Sequence, residues 1–179
     1  PNDNTSFTFT YTNINTLSGA KLYREGFGEV VYQGVTDWIF HVGAQYLEYN
    51  TSLYQGRPAP ILFGITPFTE VTYKLTENKS LRCELMYMST KQDYGSWVFA
   101  LIEYNLAPKW SISASDMYNI SPNKGSDNLN YKNPGNHFYN VFTAYTKGPH
   151  RFTLAYVKQV DGINCTGGVC RYEPAFSGV

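Results

Sequence analysis

The sequence predicts an all-β fold, an antiparallel up-and-down transmembrane β-barrel of which about nine strands are visible. Three observations lead to this prediction. Apolar and polar residues alternate with a period of two in runs of about nine to twelve residues. Short and longer connections alternate between these runs. Aromatic residues make up 17% of the chain and charged residues only 16%, against roughly 25% charged residues in an average soluble domain.

The strands follow directly from the alternation. In the first, Phe7, Phe9 and Tyr11 share one face, and Thr8 and Thr10 share the other. Runs of this length suit the ~9–11 residues with which a tilted strand crosses a bilayer. The same criterion places the predicted strands at residues 6–15, 27–33, 37–49, 65–75, 80–90, 97–106, 110–119, 137–146 and 150–160.

The hairpin over residues 97–118 shows the pattern most clearly. Its alternation breaks only at residues 107–109, and this turn is expected to pair Leu106 with Trp110. The apolar rows of both strands, including Ile102 and Ile112, then lie on one face. Such a face suits either the core of a soluble protein or the hydrocarbon of a membrane.

The connections favour the membrane. In an up-and-down sheet every second connection lies at the same end, so one end is predicted to carry the tight turns and the other the longer loops. This sorting is typical of bacterial outer-membrane barrels. The predicted short turns are residues 34–36, 76–79, 107–109 and 147–149, and the longer loops are 16–26, 50–64, 91–96, 120–136 and 161 onward.

The polar rows are mostly Ser, Thr, Gln, Asn and Gly, which suits a crowded polar lumen better than bulk water. Charged residues from three consecutive strands are expected to form a lumen charge band. The band either tunes the passage of small polar solutes or is an ion-pair network that rigidifies a narrow lumen. Its predicted members are Glu70, Lys74, Arg82, Glu84 and Glu103.

Amphipathic aromatic residues are expected where a barrel wall meets the two membrane interfaces. Tyr32, Trp38, Tyr104 and Trp110 flank the short turns, and Tyr46 lies near the end with the longer loops. We therefore predict an aromatic girdle formed by these five residues, with outer-membrane lipid as the partner.

Other functions find little support in the sequence. The net charge is zero, so nothing points to nucleic acid. No nucleotide-binding, hydrolase or zinc motif is present, and we predict no cofactor, no metal site and no enzymatic activity. His41 near a lumen serine is the only candidate for a lipid-modifying Ser–His site. The loop over residues 121–137, with Asp127, is interpreted as a plain exposed loop rather than a sugar or calcium site.

Two of the three cysteines lie close together in the stretch "NCTGGVC". The glycine pair between Cys165 and Cys170 lets the loop close, so a disulfide is predicted for an oxidising compartment. The alternatives are two free thiols or part of a metal site.

The chain's last twenty-five or so residues carry a family resemblance. Their C-x-G-G-V-C-R pattern, followed by a proline and a glycine, resembles the end of an uncharacterised family of Bacteroidota outer-membrane β-barrel proteins. That resemblance implies an outer-membrane location and a long single-chain barrel, and no established activity. The matching residues are Cys165, Gly167, Gly168, Val169, Cys170, Arg171, Pro174 and Gly178.

Residues 1–179 are thus expected to be a single β-barrel segment that lacks a closing strand after residue 179. Its expected function is that of an integral outer-membrane protein. It acts either as a passive pore or as an embedded component of an assembly with other outer-membrane proteins or lipoproteins. The alternative is a soluble secreted β-barrel or sandwich that binds a ligand such as carbohydrate.

Overall fold

The computed structural model describes residues 4–55, 58–92, 95–121, 137–159, 162–166, 169–173 and 176–178, and the side chains of residues 4–53, 58–92, 95–120 and 137–158. The chain is an antiparallel β-sheet protein with one short helix. Its elements are β1 (Thr5–Asn15), β2 (Lys21–Tyr32), β3 (Trp38–Asn50), α1 (Thr51–Gln55), β4 (Ile61–Thr76), β5 (Lys79–Met88), β6 (Ser96–Leu106), β7 (Trp110–Ser121), β8 (His137–Lys147), β9 (His150–Gln159), β10 (Gly162–Thr166), β11 (Val169–Glu173) and β12 (Phe176–Gly178).

The main sheet has up-and-down topology. Strands β1 to β9 neighbour one another in chain order, and β12 follows β9 at the edge. The nine predicted strands and their antiparallel order are confirmed. The predicted turn register is confirmed as well, because Leu106 lies opposite Trp110 across the β6–β7 ladder.

Strand β2 begins six residues earlier than predicted, at Lys21 rather than at residue 27. Arg24, Glu25 and Gly26 interrupt the apolar alternation there, so the sequence signal fails. The ladder continues nonetheless: Gly26 lies between Tyr11 and Tyr46 in the neighbouring strands. Backbone pairing with both neighbours therefore extends the strand through a residue that has no apolar side chain of its own.

This extension partly corrects the predicted sorting of the loops. The connection between β1 and β2 comprises residues 16–20, the same length as the turn at residues 33–37. From β3 onward the sorting holds. At one end the strands are joined by connections of two or three residues, over 77–78, 107–109 and 148–149. At the other end the connections have seven residues or more, over 51–60, 89–95 and 122–136. These two ends are called the turn end and the loop end below.

The C-terminal segment, predicted as a loop from residue 161, is strand-rich instead. β10 and β11 pair as a separate hairpin, and β12 pairs antiparallel with β9, with Phe176 opposite Gln159. The next strand of the sheet therefore begins before residue 179 rather than after it. The runs of five, five and three residues are too short for periodicity to reveal.

The sheet is not closed within the described residues. Its strand order starts at β1 and ends at β12, and no pairing joins these two edges. The structure therefore establishes an all-β antiparallel up-and-down sheet without showing a complete barrel.

The two faces of the sheet differ sharply in exposure. On β5, Cys83, Leu85 and Tyr87 are exposed, whereas the alternate residues Arg82 and Glu84 are half-buried. We call the exposed face, which carries Cys83, the outer face, and the sheltered face, which carries Arg82, the inner face. Because the inner side chains are the sheltered ones, the sheet curls around them.

The outer face holds most of the large apolar side chains. Among the described residues, twenty-five large hydrophobic side chains are exposed, and only Trp97, Phe138 and Ala144 are buried apolar residues. A soluble domain of this size normally shows the opposite balance. No helix among the described residues is long and apolar enough to cross a membrane.

Candidate functional site

Arg82 is the centre of an ion-pair cluster on the inner face. One guanidinium nitrogen, Nη1, lies 2.8 Å from Glu70 Oε2 and 3.7 Å from Glu84 Oε2. The other, Nη2, lies 3.4 Å from Glu103 Oε2. Strand pairing explains the cluster, because Arg82 lies directly opposite Glu103 on β6 and diagonally across from Glu70 on β4. Four of the five residues of the predicted lumen charge band thus lie together.

Lys74 is the exception. It lies on the same face, opposite Ser80, but at the turn end of β4, where its side chain is exposed. No ion pair among the described residues includes it. The reason is its position: Lys74 lies four residues along β4 from Glu70, and successive residues on one face are about 7 Å apart along a strand.

The cluster continues onto β2 and β3 through residues that the predicted lumen charge band did not include. His41, which lies opposite Glu70, has its Nδ1 atom 3.0 Å from Glu29 Oε1. Gln45 donates a hydrogen bond to Glu25. Glu25 was missed because its segment was assigned to a loop. Its position two residues before Phe27 was the available signal, since such residues share a face of a strand.

These residues form one inner charge band with a strong excess of negative charge. We define it as Glu25, Glu29, His41, Glu70, Arg82, Glu84 and Glu103. Five carboxylates accompany a single guanidinium, and His41 is the remaining basic residue of the band. Within the described residues, no group of three or more His, Cys, Asp or Glu side chains has a geometry suited to a metal ion.

All five predicted girdle residues lie on the outer face, in two rows of aromatic rings. Near the turn end, Trp38 stacks on Tyr73 with ring centroids 4.5 Å apart, and Trp110 packs on Tyr145 at 4.6 Å. Tyr73 and Tyr145 were not in the predicted girdle. The row near the turn end comprises Tyr32, Trp38, Tyr73, Tyr104, Trp110 and Tyr145, and the row near the loop end comprises Tyr11, Tyr46, Tyr87, Tyr118, Tyr139 and Tyr156.

Charged groups interrupt the outer face at two places, both in its loop half. Arg24 Nη1 lies 4.0 Å from Glu48 Oε2, and Lys21 Nζ lies 4.0 Å from Glu48 Oε1. His137 Nδ1 lies 2.5 Å from Asp116 Oδ2, and the imidazole ring stacks on Tyr118. No hydrogen bond joins a serine hydroxyl to a histidine ring among the described residues. The hypothesis of a Ser–His site at His41 therefore finds no serine hydroxyl bonded to that ring in the described part of the chain.

The predicted disulfide concerns side chains outside the described ones. The β10–β11 register sets Cys165 directly opposite Cys170. Directly opposed residues in an antiparallel pair have Cα atoms about 4.5–5.5 Å apart, which is within the range that a disulfide spans. The pairing stays a prediction. The loop interpretation of residues 122–136, including Asp127, also falls outside the described residues.

Comparison with known proteins gives a family and no function. No curated protein matches the chain, and no solved structure does. Residues 2–179 match a family of unknown function, DUF6029. Because the match covers almost the whole sheet described above, the chain belongs to the DUF6029 family.

Proposed function

We propose that this sheet forms part of the wall of a bacterial outer-membrane β-barrel. Its outer face contacts lipid, and its inner charge band lines a lumen through which small polar solutes pass. The observation that carries the proposal is the inverted distribution of side chains. Ile102 and Leu85, on the outer face, are 50% and 52% exposed, whereas the side chain of Arg82, on the inner face, is 31% exposed.

The energetics favour lipid over water on the outer face. Fully burying a Val, Leu, Ile or Phe side chain is worth about 1.5–3 kcal/mol, so each half-exposed one leaves about 1 kcal/mol unrealised in water. Hydrocarbon removes this penalty for the whole face at once. The aromatic rows on either side of the aliphatic residues match the two interfacial girdles of outer-membrane barrels.

The open edges add a requirement to the proposal. In hydrocarbon, each unpaired backbone N–H or C=O group costs several kcal/mol. The free edges of β1 and β12 must therefore pair with further strands when the sheet is in a membrane. The proposal includes such partner strands, whichever chain supplies them.

The inner charge band supports passage of solutes with a preference for cations. Its carboxylates outnumber its cationic groups, and rings of Asp and Glu side chains favour cations in channels. The alternative of a soluble, ligand-binding sheet predicts water rather than lipid at the outer face, and fluorescence distinguishes the two.

The chain's three tryptophans divide between the faces. Trp38 and Trp110 are 37% and 42% exposed on the outer face, whereas Trp97 is 7% exposed on the inner face. We expect lipids brominated near the headgroup to quench most of the fluorescence of a Trp97→Phe protein, because only Trp38 and Trp110 remain. The measurement is steady-state fluorescence in vesicles with and without brominated lipid.

The matched control is the double variant Trp38→Phe/Trp110→Phe, which leaves Trp97 alone. Its fluorescence is expected to be almost unaffected by brominated lipid. If the two proteins are quenched equally, or if water-soluble iodide quenches Trp38 and Trp110 as readily as it does free tryptophan, the outer face does not contact lipid and the proposal fails.

A further inference from the structure

The inner face contains an apolar cavity near the loop end. Its volume is about 510 Å³, within the range of small-molecule sites, roughly 300–1,000 Å³. All three methionines of the chain, Met86, Met88 and Met117, line it together with Trp97 and Phe99. Methionine side chains adapt to ligands of irregular shape, and they are frequent at binding surfaces that accept several ligands.

Hydrogen bonds hold the segment that flanks the cavity at the loop end. The Thr90 backbone N–H donates to Ser96 Oγ at 3.1 Å, and the Ser96 hydroxyl donates to the Thr90 carbonyl at 3.1 Å. Gln92 Oε1 accepts a hydrogen bond from the Phe63 backbone N–H. The segment after β5 is thereby tied to both β4 and β6, so the cavity is preorganised.

An acidic recess adjoins the cavity towards the turn end. Its volume is about 380 Å³, and it shares Gln45 and Met86 with the cavity. Glu25, Glu29 and Glu84 line it, and no Lys or Arg side chain does. Two further lining residues, Phe27 and Phe68, stack with their ring centroids 5.6 Å apart.

We propose that the cavity and the recess together bind an organic cation with an apolar body. The apolar body fills the cavity among the methionines, and the cationic head lies in the recess, between the carboxylates and the phenylalanine rings. This binding goes beyond the proposed pore function and requires no conduction, because the strand residues that line the cavity and the recess face inward whether lipid or water contacts the outer face.

Charge complementarity selects a cation over an anion or a neutral ligand. An anionic head in the recess meets three carboxylates at close range, and the repulsion between like charges opposes its binding. A quaternary ammonium group gains attraction from the same carboxylates and from the phenylalanine rings. A neutral apolar ligand gains only the burial in the cavity.

The test uses the folded protein with ¹³C-methyl methionine, in lipid nanodiscs or, where the protein folds without lipid, in buffer, because all three methyl signals report on the cavity. The probes are hexyltrimethylammonium, hexanesulfonate with the same chain, and tetramethylammonium without a chain. We expect hexyltrimethylammonium to give saturable shifts of all three signals at concentrations at least tenfold lower than either of the other probes. Equal binding of the cationic and anionic probes, or no saturable shift, overturns the proposal.

Matched variants separate specific binding from partitioning into lipid. Thr66→Trp fills the cavity, whereas Thr69→Trp places the same bulk on the outer face of the same strand. The first is expected to weaken binding at least tenfold and the second to leave it unchanged.

A second pair of variants changes only charge, so it tests the proposal whether or not the Thr66→Trp protein folds. The double variant Glu29→Gln/Glu84→Gln is expected to remove the preference for the cation, whereas Glu77→Gln, in the exposed turn after β4, keeps it. Retention of the preference by the double variant contradicts the proposal.

Discussion

Replacing Ile102 by arginine is expected to lower the free energy of unfolding in a bilayer by about 2–3 kcal/mol, within the range for an arginine near the midplane of a barrel wall. Ile102 is half exposed on the outer face, opposite Cys83 and Ala114. An arginine there exchanges its hydration for hydrocarbon and has no carboxylate directly opposite it. Denaturant titration of the protein folded into vesicles measures the change.

The matched control is Ser113→Arg in the adjacent strand, with the same side chain on the inner face opposite Glu103. Its effect is expected to stay below about 1 kcal/mol, because the lumen is polar and a carboxylate lies beside it. A soluble sheet predicts the reverse order, since an arginine is readily hydrated on an exposed surface. An Ile102→Arg protein as stable as the parent therefore contradicts lipid contact.

Reversing the charge of Arg82 to glutamate is expected to raise the preference of the pore for cations over anions severalfold. Arg82 contacts Glu70, Glu84 and Glu103, so its removal leaves these carboxylates unneutralised and a further negative charge joins them. The stability of the protein is also expected to fall, because breaking a partly buried ion-pair network leaves like charges close together. Reversal potentials in a salt gradient across a planar bilayer measure the selectivity.

Lys79→Glu is the control for this change, because it makes the same charge reversal at an exposed position at the start of the same strand. It is expected to leave the selectivity close to that of the parent. Arg82→Gln offers a milder change where the reversal prevents folding. If both Arg82 variants conduct with the parental ion ratio and only lose stability, the band is a structural ion-pair network and the pore proposal is wrong.

Much of the fold could be predicted because most strands have an outer row that is almost continuously apolar. In β6 and β7 that row, with the tight turn at residues 107–109, determined the register correctly. The start of β2 could not be predicted, because the interactions that hold it are non-local. Gly26 carries no apolar signal of its own, and Tyr11 and Tyr46 become its neighbours only after the strands pair.

The candidate site was predictable in part. Arg82 and Glu103 lie on neighbouring strands joined by a single connection, so their proximity followed from the strand order. Glu29 and His41 also lie on neighbouring strands, but their contact needed the exact β2–β3 register, in which Glu29 lies opposite Gly43 and diagonally from His41. The apolar cavity was missed for a different reason. Trp97 and Phe99 belong to the inner row of β6, and this row is apolar in the loop half of the strand but polar in the turn half.

The most direct test of the central claim, that the outer face contacts lipid, is whether lipid or water surrounds Cys83. Cys83 is exposed on the outer face, opposite Val71 and Ile102. A spin label at this position, with Cys165 and Cys170 replaced by serine, is expected to collide more with oxygen than with a water-soluble nickel chelate, because oxygen dissolves in hydrocarbon and the polar chelate does not.

A label at Ser113→Cys, on the inner face, is measured in a protein in which Cys83 is also replaced by serine. This label is expected to show the opposite preference. If the label at Cys83 is as accessible to the nickel chelate as the one at Ser113→Cys, the outer face lies in water, and the sheet is not a membrane wall.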